Sequence, residues 1–369
     1  MRASGRPSRS FRIPLVGQQY ATRLLESWLA GAEFPPLLFT GPAGVGKRTA
    51  ALLLAQAANC TDKNQQPCGV CRSCRAVAEL NYPDLKLLLP IRLPKKNPEI
   101  EDIAGATLDR YPEFALGQSQ PVSDTKLRIP IHAVRWLRVE MARPPLLARR
   151  RFFILVNAHQ MNAEAANALL KMLEEPQAKS TFVLTSSRPA ALPATIRSRC
   201  QAVRFSPIAQ EVVRDWLLEN AGASSSDAEL ASSLAGGSVG TALRFLENRQ
   251  DFLVGPVVDY FAGRLGDSEQ AVMSALAAAK EAPPAAVTST LLFLYQEAMR
   301  VKMGGTSVYA NANPDVIEPN AGRQAEYLRR AVKFLLSRSR EAGTNVNARL
   351  FNYSLLSTLK PPARRRLPA

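Results

Sequence analysis

The segment Gly41-Pro42-Ala43-Gly44-Val45-Gly46-Lys47 follows the apolar run Leu37-Leu38-Phe39-Thr40 and opens a helical stretch. Strand, glycine-rich loop and helix in that order make a phosphate-binding loop, and they commit the surrounding chain to a parallel sheet covered by helices. Backbone N–H groups of a loop carrying Gly41, Gly44 and Gly46, together with the N-terminus of the helix behind it, attract phosphate oxygens. Lys47 has the reach for the β- and γ-phosphates.

The companion residues of such a loop are altered. The position after the lysine, where a Ser or Thr hydroxyl holds Mg²⁺, is Arg48, and Thr49 comes one residue late. One residue on a helix is a rotation of about 100°, which turns that hydroxyl away from the metal. The strand that should carry a metal-binding Asp and a water-activating Glu reads Phe152-Phe153-Ile154-Leu155-Val156 and ends in Asn157-Ala158. Asn157 brings no negative charge to a metal, and Ala158 orients no water. With these positions altered together, the sequence predicts weak nucleotide binding at most and no hydrolysis by this chain alone. Lys47 would then cap its own loop or pair with a neighbouring carboxylate.

Short apolar runs recur at Leu37–Thr40, Leu85–Leu89, Phe152–Val156, Thr181–Thr185 and Ala202–Phe205, separated by helical stretches. Such alternation reads as a parallel sheet buried on both faces. The helix before the fourth run is well marked: Asn162 caps it, Glu164 lies in its first turn, Ala166, Leu169, Leu170 and Leu173 share a side, and Pro176 stops it. Between about 90 and 130 the prolines at 90, 94, 98, 112, 121 and 130 break the pattern, predicting an insertion or long loop. After Pro207 strand signals give way to Ala-, Leu- and Ser-rich helical periodicity. A polar gap over 304–322 predicts a flexible linker between helical modules. Residues 1–12 read as a basic arm and 361–369 as a basic tail.

Lys and Arg total 47 against 31 Asp and Glu, a formal charge of +16, which favours a polyanionic partner or steering toward one. Solvated basic faces would give the same balance, and Arg149-Arg150-Arg151 and Arg364-Arg365-Arg366 lack the interleaved aromatics of a base-stacking surface. No apolar stretch approaches a membrane span, and Arg2, Arg6, Arg9 and Arg12 are not followed by a signal-peptide core, so a cytoplasmic protein is expected.

Four of the five cysteines fall at Cys60, Cys68, Cys71 and Cys74. Three thiols spaced by two residues can wrap one ion and Cys60 can complete the set, which predicts a closed, structural Zn²⁺ site. Cys200, at the start of a strand, is expected to be buried and inert. In Pro193-Ala194-Thr195-Ile196-Arg197-Ser198-Arg199-Cys200, Arg199 is placed to face outward. Its guanidinium could fork onto phosphate across a subunit interface, or make a surface salt bridge.

The phosphate loop, the four-cysteine insert, Asn167-Ala168-Leu169-Leu170-Lys171-Met172-Leu173-Glu174-Glu175-Pro176 and Ser198-Arg199-Cys200, in that order, resemble the clamp-loader branch of the AAA+ ATPases, the branch of bacterial DNA polymerase III gamma/tau and delta-prime subunits. The resemblance covers about 15–245. It implies an α/β class followed by all-α: an AAA+ P-loop domain over 13–207 with a zinc module at 60–74, a small helical lid over 208–250, and a C-terminal helical, collar-type domain over 251–360. Motor subunits keep the acidic pair and the hydroxyl after the lysine, and carry a sensor arginine where Gly240 stands here. These departures resemble the non-hydrolysing delta-prime type. By that resemblance Arg199 is an arginine finger acting in trans, and the partners are gamma/tau motor subunits, the delta subunit, the sliding clamp and, through the complex, primed DNA. The same resemblance places Thr185-Ser186-Ser187 at a sensor position on the fourth strand. An active gamma/tau-type ATPase and a free-standing basic zinc protein that binds DNA directly are the competing readings.

Overall fold

The computed structural model describes residues 13–360 except 32–33, 63, 93–97, 117–126, 177–178, 248–252, 267, 280–281, 283 and 343–346. The basic arm expected over 1–12 and the tail expected over 361–369 lie outside the described residues. The chain divides into two compact units. One runs up to Glu219 and adds Ala235–Thr241; the other comprises Asn220–Leu234 and the residues from Ala242 onward.

In the first unit the five apolar runs are five strands: β1 (Leu37–Thr40), β2 (Leu85–Leu88), β3 (Arg151–Leu155), β4 (Ser180–Ser186) and β5 (Gln201–Arg204). All neighbours pair in parallel, in the order β2-β3-β4-β1-β5. Successive side chains leave a strand on opposite faces, so the runs of β1 to β4 feed two cores, while the edge strand β5 buries only Val203, in the first of them. Leu37, Phe39, Leu87, Phe152, Ile154 and Val183 enter one, with Leu25 of helix Gln19–Ala30 and Leu52 and Leu54 of helix Lys47–Asn59. Leu38, Leu88, Phe153, Leu155, Phe182 and Leu184 enter the other, with Leu137 of helix Ile131–Ala142 and Leu169 and Leu173 of helix Ala163–Glu174. That double burial is why the strands read as continuous rather than alternating apolar runs. The Asn162 side chain accepts the Ala165 N–H at 2.9 Å, the N-cap expected for the last of these helices. Leu170 is half-buried, and Met172 takes the buried position beside Leu173.

Two stretches hold helical elements where the sequence suggested a long loop and a flexible linker. Within 90–130, helix Ile100–Leu108 starts from a capping box in which the Glu99 N–H donates to Asp102 Oδ2 at 2.8 Å, and a 3₁₀ turn follows at Tyr111–Phe114. Pro112 lies in the opening of its turn instead of interrupting it, since proline lacks only an N–H that a helix start leaves unused, and Pro98 falls just before the N-cap Glu99. Tyr111 then secures the turn to β2: its hydroxyl takes the Leu87 N–H at 2.7 Å and donates to the Leu87 carbonyl at 3.0 Å. The supposed linker over 304–322 is two helices, Val308–Ala312 and Pro314–Ala321. Its polar residues are put to structural use: Ser307 caps the first helix, and buried Asn320 donates to the Phe261 carbonyl at 2.6 Å.

The second unit is helical throughout its described residues, with Tyr260, Phe261, Leu294, Tyr295, Leu335 and Leu355 at its centre. Tyr260 satisfies its buried hydroxyl by donating to the Leu356 carbonyl at 2.8 Å. The α/β P-loop sheet followed by an all-helical region is therefore the architecture of this chain. Among the described residues, no helix is long and apolar enough to cross a membrane.

Candidate functional site

Parallel strands release their loops at one edge of the sheet, and the order β4-β1-β5 brings the ends of β1 and β4 side by side. Gly41, directly after β1, donates its N–H to the Ser186 carbonyl at 3.3 Å. It has φ 139°, and a Cβ there would meet the Phe205 carbonyl oxygen at 2.1 Å, so only glycine fits. Lys47 opens the following helix and is 7% exposed. Its ammonium donates to the carbonyls of Gly41, at 2.7 Å, and of Pro42. Burial pushes its pKa down to about 8. Lys47 thus caps its own loop, as the sequence allowed.

The loop is also closed from the far side. Gly240 donates its N–H to the Gly44 carbonyl at 3.1 Å, and a Cβ on Gly44 would lie 2.1 Å from Ser238 Oγ. Ser238 in turn donates to Thr241 Oγ1 at 2.8 Å. Gly240, where the resemblance calls for a sensor arginine, is packed within 3.2 Å (from an added Cβ) of Gly44 Cα, leaving no room for a longer side chain without a shift.

The metal-handling positions have other occupations. Arg48 is buried, with its guanidinium carbon 5.7 Å from the Phe114 ring centroid and Nη1 3.5 Å from the Glu113 carbonyl. Burial lowers its pKa to about 10. It anchors the 3₁₀ turn at Tyr111–Phe114, so the residue after Lys47 is a packing element. Asn157, at φ 54°, donates its backbone N–H to Thr185 Oγ1 at 3.0 Å, and Ala158 is fully buried. Thr185 and Ser186 thereby serve as a hydrogen-bonded strand terminus.

Two residues at this edge, His159 and Arg188, carry no motif in the sequence. His159 Nδ1 lies 3.2 Å from Ser186 Oγ, which also accepts the Arg188 N–H at 3.1 Å. Burial, then the charges of Arg188 and Lys47, hold the His159 pKa down at about 4. The edge that carries acids in a hydrolytic site is here lined by Lys47, Arg188 and a neutral imidazole. His159 sits two residues past Asn157 in the sequence, a weak signal that only its spatial partners give meaning. In the unfolded chain its pKa returns to 6.5, so between about 4 and 6.5 the unfolded state binds the extra proton. This contribution to stability is complete above 6.5 and is lost as the pH falls toward 4. An NMR titration should place the His159 midpoint near 4, and a midpoint near 6.5 would show a solvated ring.

The cysteines converge. The Sγ atoms of Cys60, Cys68, Cys71 and Cys74 all lie within 4.8 Å of one another, with Cys60–Cys71 and Cys68–Cys74 each at 4.0 Å. Four sulfurs at about 2.3 Å from one ion form a tetrahedron with edges near 3.8 Å, close to this arrangement. Amide N–H groups already face the sulfurs: Cys68 to Cys60 at 3.4 Å, Cys71 to Cys68 at 3.3 Å and Cys74 to Cys71 at 3.4 Å. Such donors stabilise thiolates, and a set of four thiolates leaves no coordination position open for substrate. The cluster is tied to the rest of the unit by Gln56 Nε2, 2.6 Å from the Cys74 carbonyl, and by Arg149 Nη1, 3.4 Å from that of Cys60. Cys200 is buried, and its thiol is pushed up to about 12 by burial.

Arg199 stands apart from the loop. Its Nε donates to Glu174 Oε1 at 2.6 Å, Nη2 contacts the same oxygen, and Nη1 donates to the Thr195 carbonyl at 3.0 Å. Its side chain remains 36% exposed.

Residues 17–209 match the model of a protein family described as "DNA polymerase III, delta subunit". The chain is 33% identical over 182 residues to the DNA polymerase III subunit delta' of Bacillus subtilis, covering 49% of this chain and 45% of that protein. It is 25% identical over 314 residues to the subunit tau of the same organism, covering 78% of this chain and 50% of that one. The chain thus spans about half the length of these curated relatives. A gamma subunit-related protein of Thermotoga maritima superposes with a TM-score of 0.43 at 17% identity, covering 92% of this chain and 98% of that one.

Proposed function

Because this chain belongs to the DNA polymerase III delta-subunit family, we propose that it is a non-hydrolysing, delta-prime-type subunit of a bacterial replicative clamp loader. In this reading it assembles with gamma/tau motor subunits and the delta subunit in the cytoplasm. It supplies Arg199 to ATP held by a neighbouring motor, and helps place a sliding clamp on primed DNA. The four cysteines hold a structural Zn²⁺, residues 208–250 act as the lid, and 251–360 contribute to a collar.

The observation that carries this is the use made of the position after Lys47. Arg48 is buried on Phe114, so a metal-binding hydroxyl has been replaced by a cation committed to packing. Without that hydroxyl and without carboxylates after β3, the chain lacks the protein ligands that hold Mg²⁺ against a γ-phosphate. The longer alignment with a tau subunit keeps one competitor, an active gamma/tau-type motor.

Reconstitution separates the two. The isolated chain should hydrolyse ATP no faster than buffer, with or without Lys47→Ala. In complex with motor and delta subunits, Arg199→Ala should lower DNA-stimulated turnover about five- to tenfold while assembly is unchanged. Silencing one of several independent sites would cost less than about twofold, so a loss of this size means that the motor sites turn over in concert, and the roughly 10³-fold or larger effect of a finger at its own site is large enough to stall such a cycle. Turnover by the isolated chain that Lys47→Ala abolishes would establish the motor reading instead.

A further inference from the structure

Arg199 is held more firmly than an exposed arginine requires. Its backbone is pinned on both sides, by Ile196 at 0% exposure and Cys200 at 9%, and its N–H donates to the Ile196 carbonyl at 3.2 Å. The guanidinium is then held by Glu174 along the Nε–Nη2 edge and by the Thr195 carbonyl at Nη1. Of its five N–H bonds these contacts use three, so among the described residues one on each terminal nitrogen stays available. Two terminal nitrogens with a free N–H each are the arrangement that grips a phosphate in bidentate fashion.

Glu174 is itself oddly placed. It is the last residue of helix Ala163–Glu174, with Glu175 at the C-cap, where the negative end of the helix dipole disfavours carboxylates. Stability does not account for the pair, since both side chains are more than a third exposed, at 36% and 43%, and exposed ion pairs contribute little. What the pair does provide is orientation. Arginine loses much rotamer freedom when it is gripped, and a carboxylate behind the guanidinium removes that freedom before the phosphate arrives.

We propose that Glu174 is a positioning residue for Arg199: it holds the inner edge of the guanidinium so that the outer N–H groups are presented to a phosphate on a neighbouring subunit. The inference rests on the reading of Arg199 as a finger in trans. It predicts an effect on the chemical step with little effect on nucleotide affinity, because Glu174 never meets the nucleotide.

The test uses the full-length chain reconstituted with gamma/tau and delta subunits and primed DNA. Glu174→Ala should lower kcat about fivefold with KM for ATP unchanged within twofold, and with assembly intact. Glu174→Gln, which keeps an acceptor oxygen in place, should retain clearly more turnover than Glu174→Ala. In an Arg199→Ala background, Glu174→Ala should have no additional effect. If Arg199→Ala leaves turnover unchanged, the finger reading falls and the positioning role falls with it. If Arg199→Ala is impaired but Glu174→Ala is not, the finger stands and the positioning role is overturned. The positioning role is likewise overturned if the Glu174 variants fail to assemble, or if Glu174→Ala causes an equal loss in the Arg199→Ala background.

Discussion

Protein carrying Cys74→Ser is expected to purify without stoichiometric zinc and to melt about 5–10 °C below the wild type, a loss of roughly 3 kcal/mol for a unit of this size. The magnitude follows from what the cluster is asked to do. Cys60 and Cys74 are buried, and burial raises both thiols, so four sulfurs this close cannot all be ionised unless a cation sits among them. In the proposed zinc site, removing one ligand leaves three, and the ion's contribution to folding would be lost with it. The damage should be local. The region 60–78 is built on the cluster, since Cys71 Sγ accepts the Cys74 N–H and so caps helix Arg72–Ala78. Hydrogen exchange should therefore rise across that region while the amides of β1, β3 and β4 keep their protection. Treatment of the wild type with a strong chelator should reproduce the same pattern. A metal-free protein with unchanged melting and unchanged exchange would end the zinc assignment.

Asp84→Ala should be about as damaging, at roughly 3–5 kcal/mol, although no motif contains Asp84. Its carboxylate is buried and accepts three consecutive backbone N–H groups, from Leu146 at 3.0 Å, Leu147 at 2.6 Å and Ala148 at 2.8 Å. Arg151 Nε lies 3.9 Å away. Arg151 is buried in its turn and donates to the Met141 carbonyl at 3.0 Å, the Arg143 carbonyl at 2.7 Å and the Glu140 carbonyl at 2.6 Å. Burial lowers its pKa, and the nearby charges of Asp84 and Glu140 counteract that shift. Deleting the carboxylate would orphan three amides and leave a buried guanidinium with less negative charge beside it, and each orphaned group costs about 1–3 kcal/mol. All three tryptophans, Trp28, Trp136 and Trp216, lie in the first unit, so their fluorescence reports on that unit. The urea midpoint should fall by about 1–2 M. Asp84→Asn should recover part of that loss, because the amide keeps one acceptor oxygen. A shift below about 0.3 M for Asp84→Ala would show that the three N–H groups find other partners or water.

How much of this is legible in the sequence depends on how far apart the cooperating residues lie. β1 reads correctly to the residue and the other strands within one residue at either end, and for β1 to β4 the reason is that burial on both faces of the sheet leaves a contiguous apolar signature. The phosphate loop and the three closely spaced cysteines are legible for the same reason: their chemistry is written in consecutive residues. The segments around 100–114 and 308–321 mislead, because proline and asparagine look like interruptions there. Pro112 and Pro314 instead lie at the first positions of helical elements, and Asn320 meets its hydrogen-bond partner, Phe261, 59 residues away. Local propensity carries no information about such a partner.

Within the site, the altered Arg48, Asn157 and Ala158 are visible as residue types, and the absence of hydrolytic acids after β3 is a fact of sequence. Where those side chains go is not. His159 acquires its lowered pKa in part from Arg188 and Lys47, 29 positions later and 112 earlier, and Arg199 finds Glu174 across 25 residues.

The sequence by itself determined that this chain would build a parallel sheet ending in a phosphate loop, because contiguous apolar runs and glycines at positive φ are local requirements. Only the tertiary structure decided the fate of that loop. Lys47 turns back onto the Gly41 and Pro42 carbonyls, Gly240 closes on Gly44, and Arg48 packs on Phe114. The contacts of Gly240 and Arg48 join the loop to groups distant in sequence, whose choice of partner is set by the packing of the folded unit, and the competition between a phosphate and the loop carbonyls for the Lys47 ammonium exists only once the chain has folded.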